Sequence, residues 1–419
     1  MVVKRGWVRH LTGVLVIGCV AVLAACGGSS DGGSSSSVAA SSAATSAAAA
    51  ASSVASASSA AVESTAASSE AAASSAPAST TEPLKVALVY NAPVTDQGWN
   101  NAWDVARASL EQEYGDKVKF TWKENVPDGP QSGKVMKQLI DDGNNVIVST
   151  SFGYQQEALK LAAANPKVTF LQVTALKTAE NLAGFDFNGP DGYYIAGMAA
   201  AAAAKGDTLG FVGAFPIPSN LSDINAYALG AQKVNPKARV RVVWTNDWVD
   251  LTKAQNAAQG LVNSGAGALA HITSGPGTAP VAKNTNTPWI GFEVDQSSRA
   301  PDQYVTSILL NWAPYLKSQI DEILAGTWKT GYVVSGVKEG VVVPDQWGSV
   351  FNALPADKQQ LVKDAVSGLK DGSVSVFAGP IKDQKGKVIV ADGQVADPAA
   401  IAGTNYFVAG VDGTIPAAG

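Results

Sequence analysis

From residue 84 onward the chain alternates short apolar runs rich in β-branched residues with longer amphipathic stretches. The runs at 84–90, 118–122, 146–150, 168–173, 208–212, 240–244, 268–272 and 289–292 predict strands. Between them, 100–113, 131–142, 155–164, 192–205, 222–234, 251–264 and 313–324 carry apolar residues at helical spacing. Strands that alternate with helices predict parallel sheets covered on both faces. The series divides at about residue 206, which predicts two doubly wound sheets. In such sheets a ligand sits outside the carboxyl ends of the strands, so two facing lobes would enclose a cleft. Val374 to Val390, with Asp383, Gln384, Lys385 and Gly386 at its middle, predicts a β-hairpin.

The first 83 residues follow a different pattern. Lys4, Arg5 and Arg9 precede an apolar run from Leu11 to Ala25 that is short for a membrane span. It closes on Leu23, Ala24, Ala25, Cys26 and Gly27, which resemble a bacterial lipoprotein lipobox. Residues 1–25 are thus expected to be a signal peptide, and Cys26 the acylated new N-terminus. Residues 26–83 continue as Ser and Ala without a single Lys, Arg or aromatic residue. Such a composition cannot bury enough apolar surface to offset chain entropy, and a disordered tether is expected.

Composition removes several chemistries. The chain has two histidines and two cysteines, and His10, Cys19 and Cys26 all lie in the first 26 residues. The body therefore has one histidine, His271, and no cysteine, which excludes a disulfide framework, a Cys nucleophile and a two-histidine metal motif. Thirty basic against 35 acidic side chains give a net charge of -5, no basis for nucleic-acid binding. Neither a metal nor a cofactor is expected.

The candidate site lies after the strands. The first strand runs into Asp96, Gln97, Gly98, Trp99, Asn100, Asn101 and Trp103, which combine a carboxylate, carboxamides and two indole rings at a helix start. Flat rings beside hydrogen-bonding groups suit a heteroaromatic or sugar ring. The same spacing also fits Asp96 as a helix cap, with Trp99 and Trp103 packed into the core. Ser151, Phe152 and Tyr154 follow the third strand, Asp247, Trp248 and Asp250 follow another, and Glu293 and Asp295 follow the run at 289–292. A lone His271 after a strand fits either a cleft residue or a satisfied core group. Gly275 and Gly277 lack the Lys and Ser/Thr of a phosphate loop and predict a turn, and the alanines at 199–204 predict a packed helix face.

These residues, in order, resemble the basic membrane protein (PnrA-like) family of solute-binding lipoproteins over about 84–415. The resemblance is carried by Asp96, Gly98, Trp99 and Asn100, by Ser151 to Tyr154 and by Tyr194 to Gly197. Ala214 to Pro218, Asn235 to Ala238, Gly291 with Asp295 and Gln296, Thr306 and Ser307, Asn311 to Tyr315 and Gly379 to Asp383 extend it. It implies a two-lobed type I periplasmic-binding-protein fold in 84–419, without catalytic activity. Lobe I would span about 84–206 plus 290–325, lobe II about 207–289 plus 326–375, with a hairpin region at 376–419. It implies that a purine-type solute is captured and delivered to an ABC permease and its ATPase by a monomeric, lipid-anchored receptor outside the cytoplasm. Asp96, Trp99, Asn100, Trp103, Phe152, Trp248, Glu293 and Asp295 inherit ligand-binding roles. A lysine that helps hold ribose in nucleoside-binding relatives falls near Leu310 here, and Asn311 to Tyr315 resemble the branch taking free bases such as adenine. Thr273 stands where that branch has an aspartate. Two other readings remain: a sensory receptor of the same fold, and a surface hydrolase using Asp247 with Asp250 or Glu293 with Asp295.

Overall fold

The computed structural model describes residues 82–175 and 177–416. The expected signal peptide, Cys26 and nearly all of the tether lie outside the described residues. The first lobe begins with β1 (Leu84–Val89), α1 (Trp99–Tyr114), β2 (Val118–Lys123), α2 (Pro130–Asp141) and β3 (Val146–Ser149). It continues through α3 (Gln155–Ala164), β4 (Thr169–Val173) and β5 (Leu182–Phe187). The chain then crosses into α4 (Gly189–Ala203), β6 (Thr208–Gly213), α5 (Pro218–Val234), β7 (Arg239–Trp244) and α6 (Leu251–Asn263). β8 (Leu269–His271), α7 (Ala279–Thr285), β9 (Trp289–Glu293) and β10 (Tyr304–Leu310) complete this run. α8 (Ala313–Leu324) and β11 (Tyr332–Ser335) return to the first lobe, and β12 (Val342–Val343) goes back to the second. There follow α9 (Ser349–Asn352), α10 (Ala356–Asp371), the hairpin β13 (Ile381–Lys382) and β14 (Val388–Val390), α11 (Pro398–Ala402) and β15 (Val411–Asp412).

The first sheet has the order β11-β5-β4-β3-β1-β2 and the second β12-β10-β9-β8-β6-β7-β15. All neighbours are parallel except β12 against β10. Covered parallel strands need apolar residues on both faces, and Val86 to Val89 and Val146 to Val148 are all fully buried. The chain passes between sheets three times, after β5, after β10 and after β11, which makes the lobes separate sheets joined by a hinge.

Strand pairing differs from the expected partition. Residues 290–325 were expected with the first lobe, yet β9 and β10 pair beside β8 in the second sheet. Only α8 returns, tied to α1 by the Tyr114 hydroxyl donating to Asp321 at 2.7 Å and by Lys317 against Glu113 at 2.7 Å. β11, expected with the second lobe, extends the first sheet beside β5. Parallel strands carry no local signal of which sheet they join, because their partners lie far along the chain.

Small residues set the approach of the two central helices of lobe II. A Cβ on Gly197 of α4 would overlap the Tyr227 carbonyl, and one on Gly230 of α5 the Tyr194 carbonyl. Ala199 and Ala200 are fully buried in this packing. α6 begins at Asp250, whose carboxylate accepts from the Thr252 and Lys253 N–H groups at 2.9 and 3.0 Å, satisfying two amides that the helix leaves free.

Candidate functional site

The strand-end loops of the two lobes meet at the start of α1. The Trp99 indole N–H donates to the Thr150 carbonyl after β3, at 2.7 Å. The Trp99 backbone N–H points across to the Ser274 hydroxyl after β8, at 3.3 Å, and the Ser274 N–H donates to the Trp248 carbonyl at 2.7 Å. The loops after β1, β3, β7 and β8 are therefore neighbours, and Phe152, Trp99 and Trp248 belong to one interlobe region. Phe152 is 54% exposed and Trp248 41%. Trp99 is half-buried, edge-on to Trp312 at 5.6 Å and near Phe187 at 6.3 Å.

Asp96 and Asn100 serve the helix. The Asp96 carboxylate accepts from the N–H groups of Gly98, Asn100 and Asn101 at 2.9, 2.9 and 3.0 Å and from the Asn100 amide at 2.8 Å. The Asn100 side-chain Oδ1 in turn accepts from the Asn91 N–H at 3.2 Å. An oxyanion with several N–H donors is held by the amides and dipole of α1. These two residues shape the loop that carries Trp99.

Trp103 is drawn into the core. It is fully buried, stacked on Trp312 at 4.2 Å with an interplanar angle of 5°, and edge-on to Phe185 at 5.6 Å. One turn beyond Trp99, it follows the inward face of α1 with Ala102, Ala106 and Leu110. The core alternative for this ring is the one the structure adopts.

Glu293 ends β9 in a left-handed backbone conformation, φ 71°, and is 5% exposed. Its carboxyl accepts from the Ser274 hydroxyl at 2.9 Å. Burial pushes its pKa up to about 8, the charge of Asp96 adds to the rise, and Ser274 opposes it. Asp295 points elsewhere: it is exposed, caps the Ser297 N–H at 2.9 Å, and borders a surface recess of about 290 Å³ beside Trp347 and Asp345. His271 is buried, its Nδ1 3.0 Å from the Thr273 carbonyl oxygen, and burial lowers its pKa to about 4. It is a neutral core group under the Tyr193 hydroxyl, which donates to its carbonyl at 2.9 Å.

Some neighbours of the site escaped the sequence reading. Asp128, exposed after β2, accepts from the Ser151 hydroxyl at 2.7 Å and lies against Gly153, so it stands beside Phe152. Phe215 lies 5.5 Å from Trp248. Both follow strand ends, Asp128 before Gly129 and Pro130, and the rule that marked the other loops applies to them equally. Asp223 of α5 is 3% exposed with Oδ1 unpartnered, and burial raises its pKa well above the usual carboxylate range. Nothing in the sequence distinguishes Asp223 from a surface helix residue. Among the described residues no group of three or more His, Cys, Asp or Glu is placed to hold a metal ion. No helix among them is long and apolar enough to cross a membrane.

Two doubly wound lobes, with aromatic and polar strand-end loops meeting at their junction, are an architecture suited to holding a small solute. The family model described as "ABC transporter substrate-binding protein PnrA-like" matches residues 84–370. A purine-binding protein of Brucella abortus is 35% identical over 81% of this chain and 96% of its own length. A putative ABC transporter glucose-binding protein of Haloferax volcanii is 28% identical over 81% of this chain and 83% of its own. The structure of an ABC transporter solute-binding protein from Conexibacter woesei superposes with a TM-score of 0.61 at 23% identity, covering 70% of this chain and 98% of that one. The chain belongs to the PnrA-like family of ABC transporter substrate-binding proteins.

Proposed function

We propose that this substrate-binding protein captures a purine-type solute, a free base such as adenine or a purine nucleoside, between its lobes. It delivers that solute to an ABC permease and ATPase, tethered to the membrane through acylated Cys26. The observation that carries the reading is the pair of exposed rings, Phe152 and Trp248, on strand-end loops of opposite sheets. Flat rings beside polar groups on strand-end loops suit a planar ligand, and a purine offers two flat faces to cover. Asp128 beside Phe152 supplies an acceptor for a ring or exocyclic N–H. The 35% identical relative named for purine binding supports the same chemistry. Lobe closure over the ring then presents one surface to the permease.

Three of the expected site residues take other parts in this reading. Asp96 and Asn100 orient Trp99, and Trp103 backs it through the aromatic core. Free bases are favoured over nucleosides, because the ribose-holding lysine of nucleoside-binding relatives is replaced here near Leu310. The test is isothermal titration of adenine and adenosine into the wild type, Phe152→Ala and Trp248→Ala. Loss of adenine binding in both variants, with unchanged melting, supports the sandwich. Full affinity in both overturns the placement of the solute.

A further inference from the structure

The contact between the lobes is short, and glycine is built into it. Ser274 links the lobes: it accepts from the Trp99 N–H at 3.3 Å and donates to Glu293 Oε2 at 2.9 Å. Beside it, the Gln296 side-chain amide donates to the Gln97 carbonyl at 2.9 Å. Gly98 lies under this arrangement. A methyl group there would overlap the Ser274 hydroxyl and fall 2.6 Å from Glu293 Oε2 and 2.8 Å from the Gly275 nitrogen. The Gly98 φ of -151° lies outside the left-handed range, so the crowding at this position is set by the opposite lobe. The opposite lobe therefore leaves no room for a side chain at this position.

The two sides of this contact share a second feature. Gln97 on lobe I has φ 55° and Glu293 on lobe II has φ 71°. Non-glycine residues pay for such conformations, and proteins retain them where the surroundings enforce them, commonly at clamps and switches. Here both face the same interlobe hydrogen bonds.

We infer that Gly98, Ser274 and Glu293 form a latch that holds the two lobes closed, and that Glu293 is a positioning residue that sets solute affinity through closure. The inference rests on the receptor reading only for its link to affinity. A solute that binds the closed form sees its affinity reduced by the fraction of molecules that are open. The titratable groups facing Glu293 are Asp96 from the loop before α1 and Tyr193 from α4. The loop after β8 offers it Ser274 and the Gly275 backbone, and β10 carries no ionisable residue but Tyr304. Among the described residues no ion pair involves Glu293, so nothing cationic compensates its charge. The neutral carboxyl suits a closed latch, and ionisation places a second negative charge beside Asp96 inside the contact.

The test uses the full chain with Cys19→Ser and Cys26→Ser, spin-labelled at Lys137→Cys on α2 and Gln259→Cys on α6, both exposed. Interspin distances are measured without solute, and adenine affinity is measured in parallel across pH 6–9.5. Gly98→Ala is expected to shift the distance distribution away from that of the wild type and to weaken adenine by about tenfold or more. The wild type is expected to make the same shift above about pH 8. Glu293→Gln keeps a neutral hydrogen-bonding group, and should hold the wild-type distance at pH 7 and abolish the alkaline opening. An unchanged distance in Gly98→Ala, or alkaline opening that persists in Glu293→Gln, overturns the latch. If adenine binds the wild type and Gly98→Ala equally, the latch fails while the purine reading stands. If adenine binds neither but Gly98→Ala still shifts the distance, the purine reading fails and the latch stands.

Discussion

Replacing Trp103 by alanine separates core from solute in the aromatic cluster. Its ring is fully buried, stacked on Trp312 at 4.2 Å and flanked edge-on by Trp99 at 6.0 Å and Phe185 at 5.6 Å. Truncating a buried Trp costs about 3–5 kcal/mol through lost transfer energy and the cavity left behind. The parallel stack and two edge contacts place this site toward the upper end. With an unfolding entropy of roughly 2.1 cal/mol/K per residue, each kcal/mol lowers Tm by about 1.5 °C if both lobes melt together. The fall is about 3.5 °C if lobe I melts alone. Calorimetry of Trp103→Ala should therefore show a drop of roughly 6–17 °C. Phe152→Ala, removing a half-exposed ring, should shift Tm by no more than about 2 °C. Adenine should bind Phe152→Ala poorly and Trp103→Ala, below its melting point, within a few-fold of wild type. A Trp103→Ala protein that melts like wild type yet loses adenine would place Trp103 against the solute and refute the assignment.

In solute-free protein, Glu293 has its folded pKa raised from 4.5 to about 8. It therefore contributes stability that is fully present below pH 4.5 and lost as pH rises to about 8. Asp186 and Asp191, raised by burial to about 6, have finished titrating by pH 7, and His271, lowered to about 4, stays neutral there. In calorimetry between pH 6.5 and 8 the Glu293 share of the wild-type loss should be about 2 kcal/mol, at about 1.4 kcal/mol per pH unit. Asp223, also raised by burial, adds its slope to both proteins, so Glu293→Gln should fall less steeply than wild type by the Glu293 share, and equal slopes would contradict the assignment. Asp250→Ala, deleting the cap of α6, should destabilise lobe II by about 1 kcal/mol without changing adenine affinity, as read by denaturant titration and calorimetry. Cys26→Ser should move the protein from the membrane fraction to the soluble one, and retention in the membrane would refute acylation as the anchor.

The strand runs that were legible share one property: Leu84 to Val89, Val146 to Ser149 and Arg239 to Trp244 are dense in Val, Leu and Ile between polar turns. β5 was not legible, because Gly184 and Asp186 interrupt it and its burial comes from β4 and β11 on either side. β11 exposes Tyr332, Val333 and Val334 and is held as a strand by pairing with Gly184 to Phe187. Which sheet received β9 and β10 depended on pairing with strands beyond the intervening turns and helix, outside the reach of local pattern. In the site, the chemistry after each strand was legible as a class of residue, since strand ends are where this fold gathers ligand groups. Which members face the junction was not. Trp99 and Trp103 differ by one helical turn, and only packing against Phe185 and Trp312 decides that one is core. Asp128 comes beside Phe152 through a hydrogen bond from the Ser151 hydroxyl, 23 residues along the chain, and the interlobe role of Ser274 needs Trp99 from the other sheet.

The most direct test of the central claim is a calorimetric titration of the solute-stripped full chain with adenine, adenosine and glucose in turn. Adenine should bind saturably and one-to-one, adenosine more weakly, and glucose not at all. A saturable glucose isotherm with no response to either purine would contradict that claim.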